Sequence, residues 1–143
     1  ALAGSAALVC DVDRHWPAEG GGVRAWIRAL RLHQWLKNLL VFLPLAASHR
    51  FTEPGAVVDA VGAFVAFGLC ASGVYLLNDL LDLPVDRQHP RKRLRPFAAG
   101  RLDLLRGVLA APLLAAAGLG LAFWVSPAFA LVLGGYYVLT AAY

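Results

Sequence analysis

Long apolar runs without charged side chains dominate the second half of the chain. Residues 60–77, 107–125 and 127–143 contain no Asp, Glu, Lys or Arg. Each run has close to the roughly 20 residues that an α-helix needs to cross the hydrocarbon core of a bilayer. A fourth apolar run, residues 32–47, carries one such charge, Lys37. The pattern predicts an all-α fold, a polytopic membrane helical bundle with about four transmembrane helices.

The composition argues against a soluble globule. Of the 143 residues, 59% are hydrophobic and 15% are charged, which leaves too little polar surface to cover a globule of this size. The formal net charge of +4 could favour nucleic acid, but the basic residues flank the apolar runs and form no nucleic-acid-binding motif. We therefore expect a lipid bilayer and no nucleic acid among the partners.

The basic residues also predict an orientation. If the amino-terminal end is cytoplasmic, twelve of the thirteen Lys and Arg residues lie on the cytoplasmic side and Arg50 lies outside. This asymmetry follows the positive-inside rule. It predicts a multi-pass protein of the cell (inner) membrane whose charged stretch, residues 78–100, faces the cytoplasm.

Residues 23–32 have the pattern of an amphipathic helix on the membrane surface. Arg24, Arg28 and Arg31 share one face at helical spacing, and apolar side chains share the other. These three arginines are expected to face lipid phosphates. The helix is expected to continue into the bilayer through residues 32–47.

The start of the chain carries little chemical information. Residues 1–22 are expected to be a linker, or the tail of a preceding domain, because they end in the flexible sequence PAEGGG. Asp11 and Asp13 form a DxD pattern without the context of a phosphatase site. Cys10 and Cys70 lie too far apart in different settings to indicate a disulfide framework. The chain lacks Met and stops within an apolar run, which is typical of a piece of a longer protein.

The acidic half of the charged stretch has helical spacing. Asn78, Asp79, Asp82 and Asp86 fall at i, i+1, i+4 and i+8, within about a 100° arc of one helix face. Carboxylates this close repel one another, so we expect them to hold a cation. Oxygen ligands suit Mg²⁺, which is usually shared with substrate phosphates. Pro84 is expected to kink or end the helix. The alternative is a solvated helix end.

The basic half follows His89-Pro90, a dipeptide that favours leaving the helix. Lys92, Arg93 and Arg95 lie in this loop, and the arginine fork suits phosphate oxygens. The positive-inside signal alone is an alternative explanation for one or two of these residues. For Lys37, snorkelling to the headgroups and contact with a phosphate are equally supported.

Three segments resemble one known family. NDLLDLPVDR resembles the first aspartate motif, NDxxDxxxD, of the UbiA superfamily of intramembrane prenyltransferases, and LRLHQWLKNLLVFLPL resembles the start of its first helix. DRQHPRKRLRPFAAG looks most like the branch of decaprenyl-phosphate phosphoribosyltransferases. The resemblance covers residues 23–143, which would form the amino-terminal part of a UbiA-type domain.

The resemblance implies a bundle of about nine membrane helices in which Mg²⁺ joins two aspartate motifs to a diphosphate. Asp79, Asp82 and Asp86 would be catalytic and, with Asn78, would hold the metal. The phosphate contacts would come from Lys37, Lys92, Arg93, Arg95 and Asn78. A second aspartate motif and about five later helices of the family are not in the chain, so this fragment alone is expected to be inactive.

The resemblance leaves two chemistries open. In one, a polyprenyl phosphate attacks phosphoribosyl diphosphate, and the loop after His89 favours this reaction. In the other, a prenyl diphosphate transfers its prenyl group to an aromatic or other lipid acceptor. Both need a metal ion on the departing diphosphate. An explanation of another class is a non-catalytic membrane fragment or assembly module, in which the carboxylates would be dispensable.

Overall fold

A computed structural model describes residues 22–142, and every regular element in that range is a helix. The elements in order are α1 (Val23–Ala29), a long 3-10 helix (Leu32–Phe42), α2 (Leu43–Ala47), α3 (Pro54–Leu81), α4 (Leu83–Gln88), a short 3-10 turn (Lys92–Leu94), α5 (Leu104–Val125) and α6 (Pro127–Ala142). The predicted all-α fold class is confirmed. The predictions for residues 1–21, including Cys10, Asp11 and Asp13, lie outside the described residues.

Within residues 22–142, two helices are long and apolar enough to cross a membrane. Helix α3 has 28 residues and α5 has 22, which correspond to about 42 Å and 33 Å of helix. Pro54 begins α3, where its missing N–H costs nothing. Asp103 caps α5, since its Oδ1 accepts a hydrogen bond from the backbone N–H of Arg106 at 2.9 Å. The third apolar run forms the shorter helix α6, which has 16 residues.

The apolar run at residues 32–47 differs from its prediction. Helix α1 ends at Ala29, and Arg31 has a left-handed backbone with φ of 52°. Residues 32–42 then form a 3-10 helix, so the run is not one continuous α-helix. The expected continuation of the amphipathic helix through residues 32–47 is therefore wrong, because the chain breaks at Arg31 and 3-10 geometry then turns about 120° per residue. Lys37 lies exposed in the part of the chain that the structure describes.

A tertiary contact holds this 3-10 helix against α3. The indole of Trp35 covers Gly68, where a Cβ atom would meet the ring at 2.6 Å. Its Nε1 donates a hydrogen bond to Ser72 Oγ at 3.1 Å, and that hydroxyl donates to the backbone carbonyl of Leu30 at 2.8 Å. These contacts compete with the local preference for a regular α-helix.

Small side chains allow α3 and α5 to approach closely. A Cβ atom at Gly118 of α5 would lie 2.6 Å from Cys70 Sγ and 2.8 Å from the carbonyl oxygen of Ala66. Gly73 of α3 is similarly close to α5, since a Cβ atom there would lie 2.9 Å from the carbonyl oxygen of Ala111. Small residues at such contacts are the usual basis of helix association in membranes. The α3–α5 pair forms the frame on which the remaining elements pack.

The end of α3 that begins at Pro54 carries little charge. Arg50 Nε donates a hydrogen bond to Glu53 at 2.8 Å, and this bond lowers the pKa of the Glu53 carboxyl from its ordinary value. Both side chains are exposed, so their ion pair adds little stability. The buried carboxylate of α3, Asp79, lies near the other end of the helix.

The close contact at Gly118 gives a testable prediction. Gly118→Ala is expected to lower the thermal stability of the protein in detergent micelles relative to Gly120→Ala. The new methyl group at residue 118 costs about 1–3 kcal/mol of overpacking. At the control residue, a Cβ atom would have no neighbouring atom within 4 Å. Both substitutions gain the same helix propensity. Equal unfolding temperatures for the two variants would contradict the close α3–α5 contact.

Candidate functional site

The acidic motif spans the junction between α3 and α4. Helix α3 ends at Leu81, and α4 begins at Leu83 with Pro84 in its first turn, as the sequence predicts. The helical hydrogen bonds continue across this break, from the N–H of Asp82 to the carbonyl of Asn78 at 2.9 Å and from the N–H of Asp86 to that of Asp82 at 2.8 Å. The motif therefore keeps nearly helical spacing.

The predicted arc divides into a buried pair and an exposed pair. The side chains of Asp79 and Asp86 are only 3% and 1% exposed, whereas Asn78 and Asp82 are exposed. This division follows the helical period, because residues seven apart lie on the same side of a helix after two turns. The two buried carboxylates face the rest of the charged stretch.

Two arginines neutralise the buried carboxylates. Arg31 Nη2 lies 2.7 Å from Asp79 Oδ1. Arg95 Nη1 lies 3.2 Å from the same oxygen and 2.6 Å from Asp86 Oδ2. Arg95 thus joins the two acids. Lys92 Nζ lies 3.9 Å from Asp86 Oδ1, which is beyond hydrogen-bond distance. Buried charges of this kind require partners, because an unpaired one costs several kcal/mol.

Arg31 was not among the predicted site residues. Its guanidinium carbon lies 4.6 Å from the ring centroid of Tyr75, a cation–π contact that adds to its bond with Asp79. The left-handed backbone of Arg31 is rare for a residue other than glycine. This backbone conformation breaks the helical spacing, so the Arg31 side chain does not lie on the helix face of Arg24. No pattern in the sequence indicates this break.

A basic pocket lies beside the ion pairs. Its volume is about 330 Å³. Four arginines line it, together with polar and apolar side chains: Arg28, Arg31, Arg91, Arg95, His33, Gln34, Asp79, Leu94 and Pro96. We call it the arginine pocket. Arg28 and Arg91, like Arg31, were missed as pocket residues. The sequence assigned Arg28 to the lipid-facing surface, and it gave no reason to choose Arg91 over its basic neighbours.

The predicted phosphate-binding residues do not all come together. Arg95 lies in the arginine pocket, and Lys92 lies beside Asp86. Arg93 and Lys37 are exposed and do not line this pocket. His89 stabilises the start of the loop. Its Nδ1 accepts hydrogen bonds from the backbone N–H groups of Arg91 and Lys92, at 3.2 and 3.3 Å.

The site residues fit Mg²⁺ only together with further ligands. Residues 22–142 contain no group of three or more His, Cys, Asp or Glu side chains placed to hold a metal ion. Two observations nevertheless fit Mg²⁺. The donors are hard oxygens, and Asp86 Oδ1 is buried without a hydrogen-bond partner. Since Mg²⁺ often takes one or two carboxylates and completes its shell with water and phosphate, the donor set fits an ion that arrives with a phosphorylated substrate.

An apolar cavity of about 610 Å³ lies next to the arginine pocket. It lies between α3 and α6, and Tyr75, Asn78, Tyr136 and Leu139 are among its lining residues. Tyr75 lines this cavity, and Arg31, which lines the arginine pocket, stacks on its ring. A polar pocket and an apolar cavity this close suit an amphiphilic ligand.

Comparison with known proteins shows the family of the chain. Residues 39–143 match the UbiA prenyltransferase family. The chain is 42% identical over 127 residues to an uncharacterized protein of Sinorhizobium fredii, covering 89% of this chain and 25% of that protein. It is 41% identical over 127 residues to the decaprenyl-phosphate phosphoribosyltransferase of Mycolicibacterium smegmatis, covering 85% and 39%. The enzyme of the same name from Corynebacterium glutamicum is 42% identical over 121 residues, covering 82% and 36%.

The chain thus spans between a quarter and two fifths of the length of these relatives. The family match covers most of the chain and includes the acidic motif, the basic loop, α5 and α6. UbiA proteins are integral membrane proteins, which agrees with the two membrane-length helices α3 and α5. The chain belongs to the UbiA prenyltransferase family.

Proposed function

We propose that the complete protein is a Mg²⁺-dependent membrane transferase that moves a phosphoribosyl group from phosphoribosyl diphosphate to a polyprenyl phosphate. The observation that carries this proposal is the buried carboxylate pair, Asp79 and Asp86, held by arginines beside a basic pocket at one end of a membrane-length helix. The names and the identity of the two phosphoribosyltransferases support the choice of transferred group.

In the proposed reaction, an oxygen of the polyprenyl phosphate attacks the anomeric carbon of the donor. A new carbon–oxygen bond forms, the bond to the diphosphate breaks, and the diphosphate leaves with the electron pair. Bound Mg²⁺ would supply charge neutralisation on the leaving diphosphate. Asn78, Asp79, Asp82 and Asp86 would hold the ion.

The arginines would act on phosphate oxygens directly. Arg31 and Arg95 hold the carboxylates through one nitrogen each, Nη2 and Nη1. A guanidinium has five N–H donors, so each residue keeps donors for a substrate. Fixed donors of this kind stabilise developing negative charge without reorganisation, which accelerates the departure of the leaving group.

A second candidate is prenyl transfer from a prenyl diphosphate to an aromatic or other lipid acceptor. The description of the matching family favours it, and so does the apolar cavity that Asn78 shares with Tyr75 and Tyr136. Both reactions use the same leaving group. They differ in the group that is transferred, which a labelling experiment can follow.

We also propose that the site faces the cytoplasm. Most of the basic residues lie near the Asp79 end of α3, while Arg50 lies just before the other end. This asymmetry supports an orientation in the cell membrane with α4 and the basic loop inside.

The carboxylates give the first prediction for this function. Asp79→Asn and Asp82→Asn, made separately in the complete protein, are expected to lower Mg²⁺-dependent transfer at least about 100-fold, since each removes a carboxylate that would hold the Mg²⁺ on the leaving group. Transfer is measured in membranes, and membrane insertion is measured by extraction with alkaline carbonate, which is expected to be unchanged.

Asp59→Asn is the matched control, because this substitution removes the same charge at an exposed position near the start of α3. It is expected to retain transfer. Undiminished transfer by both motif variants would refute the proposed enzyme and favour a non-catalytic membrane module.

The donor can be identified by the fate of its label. Membranes containing the complete protein are supplied with phosphoribosyl diphosphate labelled in the ribose, or with labelled prenyl diphosphate. We expect ribose label to enter the lipid extract in a Mg²⁺-dependent manner. Entry of the prenyl label into an acceptor, with no ribose label in lipid, would replace the proposed reaction by the second candidate.

The orientation can be tested with an impermeant thiol reagent on intact cells. Lys92→Cys in the basic loop is expected to react only after the cells are opened, because the loop is proposed to be cytoplasmic. Thr52→Cys, in the exposed turn before α3, is the control and is expected to react from outside. Cys70 is buried, and the unsubstituted protein gives the background. Labelling of residue 92 in intact cells would contradict the proposed orientation.

A further inference from the structure

The arginine pocket carries more positive charge than the neighbouring carboxylates require. Arg31 and Arg95 pair with Asp79, whereas Arg28 and Arg91 lie exposed at the pocket and add two further guanidinium groups. Among the lining residues that belong to the described part of the chain, Asp79 is the one carboxylate. The pocket is therefore cationic without any bound metal ion, unlike the exposed side of the acidic motif at Asp82.

From this charge difference we infer that the arginine pocket is a subsite that binds a phosphate monoester without a metal ion. This subsite is separate from the place at the carboxylates where the diphosphate would bind. The identity of the ester rests on the proposed function. Arginine forks bind a phosphate through paired, charge-assisted hydrogen bonds. A volume of about 330 Å³ accommodates a phosphate group and part of the molecule that carries it.

Gln34 provides a second observation that points to a ligand. This residue lines the pocket, and its side-chain Oε1 is buried without a hydrogen-bond partner in residues 22–142. Its Nε2 lies 3.1 Å from Nε2 of His33. A buried carbonyl oxygen without a donor is costly, at about 1–3 kcal/mol. A ligand hydroxyl would satisfy it, which favours a sugar phosphate over a prenyl phosphate.

The subsite also matches the balance of phosphates in the proposed reaction. Phosphoribosyl diphosphate carries a 5-phosphate in addition to its leaving diphosphate, and a polyprenyl phosphate carries one phosphate monoester. Transfer of a prenyl group to an aromatic acceptor needs the diphosphate alone. A second phosphate subsite is therefore a requirement of phosphoribosyl transfer, whereas prenyl transfer to an acceptor without a phosphate needs none.

Binding of ribose 5-phosphate to the complete protein in lipid nanodiscs, in the presence of EDTA, tests the subsite. Isothermal calorimetry is expected to detect binding to the unmodified protein. Arg28→Gln and Arg91→Gln are each expected to weaken it about tenfold, since each removes a charged hydrogen-bond donor. Neither side chain contacts the buried carboxylates in the described ion pairs, so folding is expected to be retained.

Arg106→Gln is the matched control, because it removes an equal charge from an exposed position at the start of α5 outside the pocket. It is expected to leave binding unchanged. Ribose without phosphate is expected not to compete. Equal weakening by all three variants, or no binding in EDTA, would overturn the subsite.

Geranyl phosphate, measured in the same way, distinguishes the two sources of the ester. Loss of ribose 5-phosphate binding alone in the pocket variants assigns the subsite to the donor, as we infer from Gln34. Loss of geranyl phosphate binding alone assigns it to the acceptor and overturns the sugar assignment. Because these measurements need no metal and no turnover, they fail or succeed independently of the transfer reaction.

Discussion

The burial of two carboxylates at the end of an apolar helix is the constraint on which the site depends. Asp79 and Asp86 are almost fully buried, and leaving such charges unpaired would cost several kcal/mol each. Arg31 comes from the segment before α3, and Arg95 comes from the loop after α4. Their ion pairs therefore bring two distant parts of the chain to the same end of α3.

The apolar part of the protein positions this network by close packing. The α3–α5 contact at Gly118 and the Trp35 contact at Gly68 both require the absence of a Cβ atom. The Trp35 indole and the Ser72 hydroxyl then hold the backbone at Leu30, directly before Arg31. A chain of contacts thus connects the packing of the membrane helices to the guanidinium that meets Asp79.

The charges of the site separate a region that favours a cation from a region that favours an anion. The exposed carboxylate Asp82 and the uncommitted oxygen of Asp86 favour a cation, whereas Arg28 and Arg91 favour an anion. Arg95 connects the two regions, because it lines the arginine pocket and pairs with both Asp79 and Asp86. In the proposed reaction this separation would keep a metal-bound leaving group apart from a second phosphate held by arginine alone.

The sequence alone determined the helical class, the acidic and basic motifs, and about four candidate membrane spans, of which two are membrane-length helices in residues 22–142, because these features depend on composition and on short-range spacing. It did not predict the break at Arg31, the arginine partners of the buried Asp79 or the place of Arg28 in the arginine pocket. Those features depend on contacts between residues some fifty positions apart, as between Arg31 and Asp79. Local periodicity assigns Arg31 to a lipid-facing surface. Only the tertiary structure places it against a buried carboxylate, because a buried carboxylate without a partner costs several kcal/mol, whereas a left-handed residue costs about 1–2 kcal/mol.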